Sequence, residues 1–136
     1  MVAIDPSVDR SRGYEVATLF DTYFSGINAK DYKRALALYD PSGVVNPGDP
    51  RSADTFSQGV STTTDSDIVL HSVVDDTSGK GVVQARLTFT SHQSSGYGPG
   101  GRTNETCTRW DITYILSRPS GGYLIKGAGT VLSSPC

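Results

Sequence analysis

Residues 81–91, "GVVQARLTFTS", decide the architecture. Val83, Ala85, Leu87 and Phe89 fall on one side of an extended chain, and Gln84, Arg86, Thr88 and Thr90 fall on the other, because successive side chains of a strand point to opposite faces. A helix would scatter the same residues around its circumference. The segment therefore reads as a strand with one face toward a core and one toward water or a partner. Toward the C-terminus the pattern repeats in "TCTRWDITYILS" (106–117), with Trp110, Ile112, Tyr114 and Leu116 on the apolar face, and a further strand follows in "GYLIKGAGTVL" (122–132). On the other side lies "SDIVLHSVVD" (66–75), where alternation places Val69, His71 and Val73 on one face. "DTSGKG" and "RPSGG" are hairpin connections, whereas "HQSSGYGPGGRTNE" (92–105) reads as a longer, mobile loop. Strand follows strand, so the sheet is expected to be a sequential antiparallel meander.

Before Ser66 the hydrophobic period is helical. Val16, Leu19, Phe20, Tyr23, Phe24 and Ile27 form one stripe on a helix of about four turns. "NAKD" ends that helix, Asp31 caps a second one, and Tyr32, Ala35, Leu36 and Tyr39 give the second its apolar side until "DPSG" stops it. After the Pro- and Gly-dense "NPGDPRS" (46–52), Ser52 is placed to cap a short third helix that carries Phe56. Residues 1–12 read as an N-terminal extension or linker and 13–136 as one domain. Helices followed by a four-stranded antiparallel sheet make an α+β plan, in which a curved sheet wraps the helices and leaves a conical cavity.

The 136 residues, 36% of them hydrophobic, are enough for one domain with a real core. A net charge of −2, with 12 basic and 14 acidic residues interspersed, offers no stripe for phosphates, so nucleic acid is excluded as the expected partner. No apolar run reaches the roughly 18 residues of a membrane span, and "MVAIDPSVDR" lacks the apolar core of a signal peptide. Direct membrane insertion is therefore not expected. Cys107 and Cys136 lie outside any metal-ligand spacing, and no metal or other cofactor is expected. If the last hairpin turns near Ser120, the two cysteines come within a few residues of each other, and a disulfide becomes geometrically sensible. It would add roughly 3 to 4 kcal/mol on a chain-entropy estimate and favour an oxidising compartment. The alternative is two unpaired thiols in a reducing cytosol.

The helices-then-meander order resembles the nuclear transport factor 2-like superfamily, which includes ketosteroid isomerases, SnoaL-like polyketide cyclases and many domains without catalysis. A nearer resemblance, to extracytoplasmic domains of actinobacterial secreted or membrane-anchored proteins, is carried by "YFSGINAKDYKRALALYD" (23–40), "FSQGVSTTTDSD" (56–67), "LTFTSHQ" (87–93), "CTRWDITYIL" (107–116) and "GGYLI" (121–125). What it implies is a cone-shaped domain outside the cytoplasm, often joined to an anchor, with no assigned reaction. The ketosteroid isomerase pattern laid on the helical half puts Tyr23 at the oxyanion-stabilising tyrosine and Asn46 at the general base. An amide cannot take up a proton at neutral pH, so that position has lost its base. The acid nearest to it, Asp49, precedes Pro50 and suits a turn.

The remaining chemistry-bearing residues have ordinary structural readings beside the functional ones. Tyr23 fits the apolar stripe of its helix, and Asn46 with Pro47 fits a turn. Asp111 and Arg109 share a strand face with Arg86 on the neighbouring strand, which suits a cross-strand ion pair. His71 and His92 are the only imidazoles. His71 is read either as a satisfied core or rim residue or as a group projecting into the cavity. "GYGPGG" lacks the lysine and helix of a phosphate loop, leaving Tyr97 as a contact residue at the loop tip, and the glycosylation match "NET" (104–106) reads as idle.

The leading expectation is a non-enzymatic, extracytoplasmic ligand-binding or interaction domain. Its ligand is expected to be a small apolar molecule in a cavity lined by Tyr23, Phe24, Phe89, Trp110 and Tyr114, with Asn46 and His71 as polar groups. The alternative is an isomerase or cyclase of the SnoaL and ketosteroid isomerase type that uses Tyr23, His71 or Asp111 as acid or base. A third is an envelope spacer that forms a homodimer through the outer sheet face, burying Gln84, Arg86, Thr88 and Asp111.

Overall fold

A computed structural model describes residues 1–136 as three helices on one face of a five-stranded sheet. The elements are β1 (Ala3–Ile4), α1 (Arg10–Asn28), α2 (Tyr32–Leu36), α3 (Pro50–Gly59), β2 (Thr64–Asp75), β3 (Val83–His92), β4 (Cys107–Ser117) and β5 (Leu124–Pro135). The strands lie in sequence order; β2 to β5 are antiparallel neighbours and β1 runs parallel to β2. The fifth strand comes from the stretch read as an extension. Ala3 and Ile4 pair with Val69 and Leu70, Val2 is buried, and its N–H donates to Asp21 Oδ1 at 2.6 Å.

Helix α1 starts where the Asp9 carboxylate accepts from the Arg12 N–H, satisfying a donor the first turn would leave free. Its whole stripe from Val16 to Ile27 is buried against the sheet, and Phe20 lies 4.8 Å, centroid to centroid, from the Tyr114 ring of β4. Asp31 caps α2 as expected, but the helix ends at Leu36 instead of continuing through Tyr39. The reason is competition from the sheet. Ile125 N–H donates to the Leu38 carbonyl, Asp40 N–H donates to the Ile125 carbonyl, and Tyr39 forms a bridge to β5. Gly43 continues this contact, so close to the Lys126 backbone that any Cβ would collide with it. At α3 the cap is Asp49, not Ser52: its carboxylate accepts from the Arg51 N–H, with Pro50 in the first turn where no N–H is needed.

Strands β3 and β4 pair without interruption from Val83↔Leu116 to His92↔Cys107, so alternation predicts their faces well. In β2 two register shifts break the period, between Ser66 and Val69 and between Leu70 and Ser72, with Asp67 at a φ of +53°. The expected shared face of Val69, His71 and Val73 is thereby split. Val73 pairs with core-facing Ala85 and packs on the core, while His71 Nε2 lies 2.6 Å from Thr88 Oγ1 on the outer face. The loop 92–105, expected to be mobile, is folded on itself: Gly96 and Gly98 N–H both donate to the Thr103 carbonyl, and Arg102 pairs with Glu105. Cys107 and Cys136 form a disulfide with a Cα–Cα distance of 5.5 Å, fastening the end of β5 to the start of β4.

Candidate functional site

The wide end of the cone contains a cavity of about 270 Å³. Its walls come from one face of α1, the inner faces of β3 and β4, and a rim made by Gly59, Val60 and Thr63 on one side and Tyr97 to Pro99 on the other. Six aromatic residues line it: Tyr23, Phe24, Phe89, Tyr97, Trp110 and Tyr114. Five are there because the inward positions of α1, β3 and β4 carry rings at this level, with Phe24 and Phe89 4.9 Å apart and Phe89 stacked 6.4 Å from Trp110; Tyr97 comes from the folded loop.

Most polar groups of the wall are committed to one another. Trp110 Nε1 donates to Ser91 Oγ, which donates to Gln93 Oε1 at 2.7 Å. Gln93 Nε2 in turn donates to the Glu105 carbonyl and to Thr108 Oγ1, so this chain ties the cavity wall to the folded loop. The Tyr23 hydroxyl is 2.8 Å from that of Tyr39. Burial, followed by the neighbouring Tyr39, holds the Tyr23 phenol well above its ordinary range; burial likewise raises Tyr114, and Tyr39 to about 12.

Asp65 is the exception. It enters β2 from the sequence "TTTDSD" and faces inward opposite Ser91. Its backbone is clamped by the end of α1: Asn28 Oδ1 accepts from the Asp65 N–H at 2.7 Å, and Asn28 Nδ2 donates to the Asp65 carbonyl at 2.9 Å. The residue is only 7% exposed, and Oδ1 is sealed from solvent without a hydrogen-bond partner. Burial alone, with no compensating donor or cation, pushes this carboxyl from 3.8 up to about 7. A group of this kind can hold a proton, release it near neutrality, or pair with a ligand donor.

Of the residues singled out from sequence, Tyr23, Phe24, Phe89, Trp110 and Tyr114 converge on this cavity. Asn46, His71 and Asp111 do not. Asn46 is exposed and its Oδ1 accepts from the Gly48 N–H at 3.0 Å, closing a turn ahead of α3. His71 sits on the outer face with Thr88. Asp111 is there too, held by a two-pronged pair with Arg86 at 2.9 and 2.8 Å that keeps its carboxyl below the usual range. Asp65 was missed, because an acid among Thr, Ser and Asp at a strand entry reads as solvated.

No protein-family model matches the chain, and no curated protein matches its sequence. Solved structures do. A ketosteroid isomerase-like protein from Erwinia carotovora atroseptica superposes with a TM-score of 0.59 at 15% identity, covering 90% of this chain and 94% of that one. A candidate scytalone dehydratase from Novosphingobium aromaticivorans gives 0.58 at 12%, covering 93% and 88%. A candidate dehydratase of the NTF2-like family from Streptomyces avermitilis gives 0.55 at 14%, covering 93% and 97%. The chain is thus an α+β cone protein with a cavity at its wide end. Its fold is the nuclear transport factor 2-like fold.

Proposed function

We propose that the domain is a binding module for a small, largely apolar molecule, working outside the cytoplasm and without turnover. The observation that carries this reading is the cavity itself, whose aromatic walls are fixed by packing and by hydrogen bonds that do not involve a ligand. A preformed apolar pocket with few free polar groups is what small-molecule sites share. The disulfide supports the compartment, since thiols stay reduced in the cytosol of most cells, and no helix is long and apolar enough to cross a membrane. Thermal shift with a panel of small aromatic and alicyclic compounds is the test. Stabilisation that disappears when the rim is filled by Val60→Phe is the expected result, and stabilisation indifferent to that change refutes it.

The Asp65 carboxyl favours a second reading, a proton-transferring enzyme of the isomerase or dehydratase kind, because a buried acid poised near neutrality suits general acid–base work. Exchange of ketone α-protons into deuterated water separates the two. Exchange catalysed by the native protein and lost in Asp65→Asn supports the enzyme; binding without exchange supports the module.

A further inference from the structure

The cavity wall contains one carboxyl group. No Lys, Arg or His lines it, Ser91, Gln93, Trp110 and Tyr23 have partners within the protein, and the free hydroxyls of the wall donate and accept alike. Asp65 alone has a side chain without a partner: Oδ1 is sealed even from the cavity, and Oδ2 is the oxygen that a ligand can reach. Around it stand aromatic rings, whose faces carry negative potential and attract cations.

We infer that the ligand is a small organic cation, a protonated amine on an apolar body, with Asp65 as its counter-ion and the surrounding rings as its cage. This rests on the binding reading and names the ligand class for that same cavity. The alternatives fit less well. An anion would meet the carboxylate and the ring faces, like sign against like sign. A neutral alcohol would donate one hydrogen bond but bring the carboxyl no opposite charge, so ionising Asp65 would stay costly. A cavity of about 270 Å³ falls just below the range of drug-sized ligand sites, which suits a single-ring amine.

Three probes of one shape and different charge test this: benzylamine, benzyl alcohol and benzoate, titrated into the oxidised full chain at neutral pH. The chain has one tryptophan, Trp110, and it lines the cavity, so its fluorescence reports occupancy directly, with calorimetry as a second readout. Benzylamine is expected to bind at least about tenfold more tightly than benzyl alcohol, with benzoate weakest. In Asp65→Asn the ratio of amine to alcohol affinity is expected to fall to near unity. Equal affinity for amine and alcohol in the native protein, or an amine preference that survives in Asp65→Asn, overturns the cation assignment and leaves the binding reading intact. If none of the probes perturbs Trp110 or gives heat, both fall.

Discussion

Replacing Asp65 with Asn is expected to stabilise the protein, by an amount that depends on pH. In the unfolded chain this carboxyl titrates near 3.8, and in the fold burial raises it to about 7. The folded state therefore holds the proton more tightly. Between those two values folding takes up a proton, so the contribution of Asp65 to stability falls as pH rises through the window and levels off above it. The full difference corresponds to about 4 kcal/mol at one pKa unit per 1.36 kcal/mol. Asn is uncharged throughout, so Asp65→Asn should match the native protein near pH 4 and exceed it by up to about 4 kcal/mol near pH 8. In melting temperature this is on the order of 10 °C for a domain of this size. Urea unfolding of both proteins across that pH range is the assay. Subtracting one curve from the other cancels the carboxylates that hydrogen bonds or cations hold low, Asp40, Glu105 and Asp111 among them. A difference that stays constant with pH refutes the assignment of a buried, uncompensated acid. So does a native protein more stable than the variant near pH 8.

Three further perturbations address the surroundings of the cavity. Asn28→Ala removes both hydrogen bonds to the Asp65 backbone and should cost about 1 to 3 kcal/mol, with amide hydrogen exchange at the start of β2 rising before that of β3. Tyr23→Phe should cost about 1 kcal/mol, since it strands the buried Tyr39 hydroxyl; ligand affinity should change little, because the Tyr23 hydroxyl is engaged with Tyr39 rather than with the cavity. Cys136→Ala should lower stability by roughly 3 to 4 kcal/mol in denaturant titration, the loss expected for a loop of 29 residues, and treatment of the native protein with reductant should reproduce it.

Where the chain obeys a single period, its structure is legible in its sequence. The stripe of α1 and the alternation of β3 and β4 are unbroken, so their inward residues, and with them the aromatic wall from Tyr23 to Tyr114, follow from counting. In β2 counting fails. Two extra residues slip into the ladder, and His71 and Val73 end on different faces although they stand two apart. The end of α2 was illegible for another reason, since Leu38 and Asp40 exchange hydrogen bonds with Ile125, some 85 residues downstream, and local periodicity contains nothing of that. Asp65 combines both difficulties. Its local composition is that of a solvated turn, whereas its backbone is held by Asn28 and it shares a cavity wall with the rings of α1 and β4. Asn46 shows the converse: an isomerase-like alignment gives it a chemical meaning, whereas its side chain is occupied in closing a turn.

The edges of the sheet bear on how the protein keeps apart from copies of itself. An uncovered edge offers free N–H and C=O groups to which a strand of another molecule can add, the first step of aggregation. At one edge Ala3 and Ile4 occupy β2 beside Val69 and Leu70. At the other, the segment from Leu38 to Val44 takes up the first part of β5 through Ile125 and Lys126. The second half of β5 stays open, where Val131 and Leu132 are more than half exposed, and there the Cys107–Cys136 bond holds the strand to β4. In an oxidised molecule this end of β5 cannot fray from β4 and so offers a second chain one free edge rather than two. Reduction therefore removes a barrier to self-association as well as a constraint on unfolding.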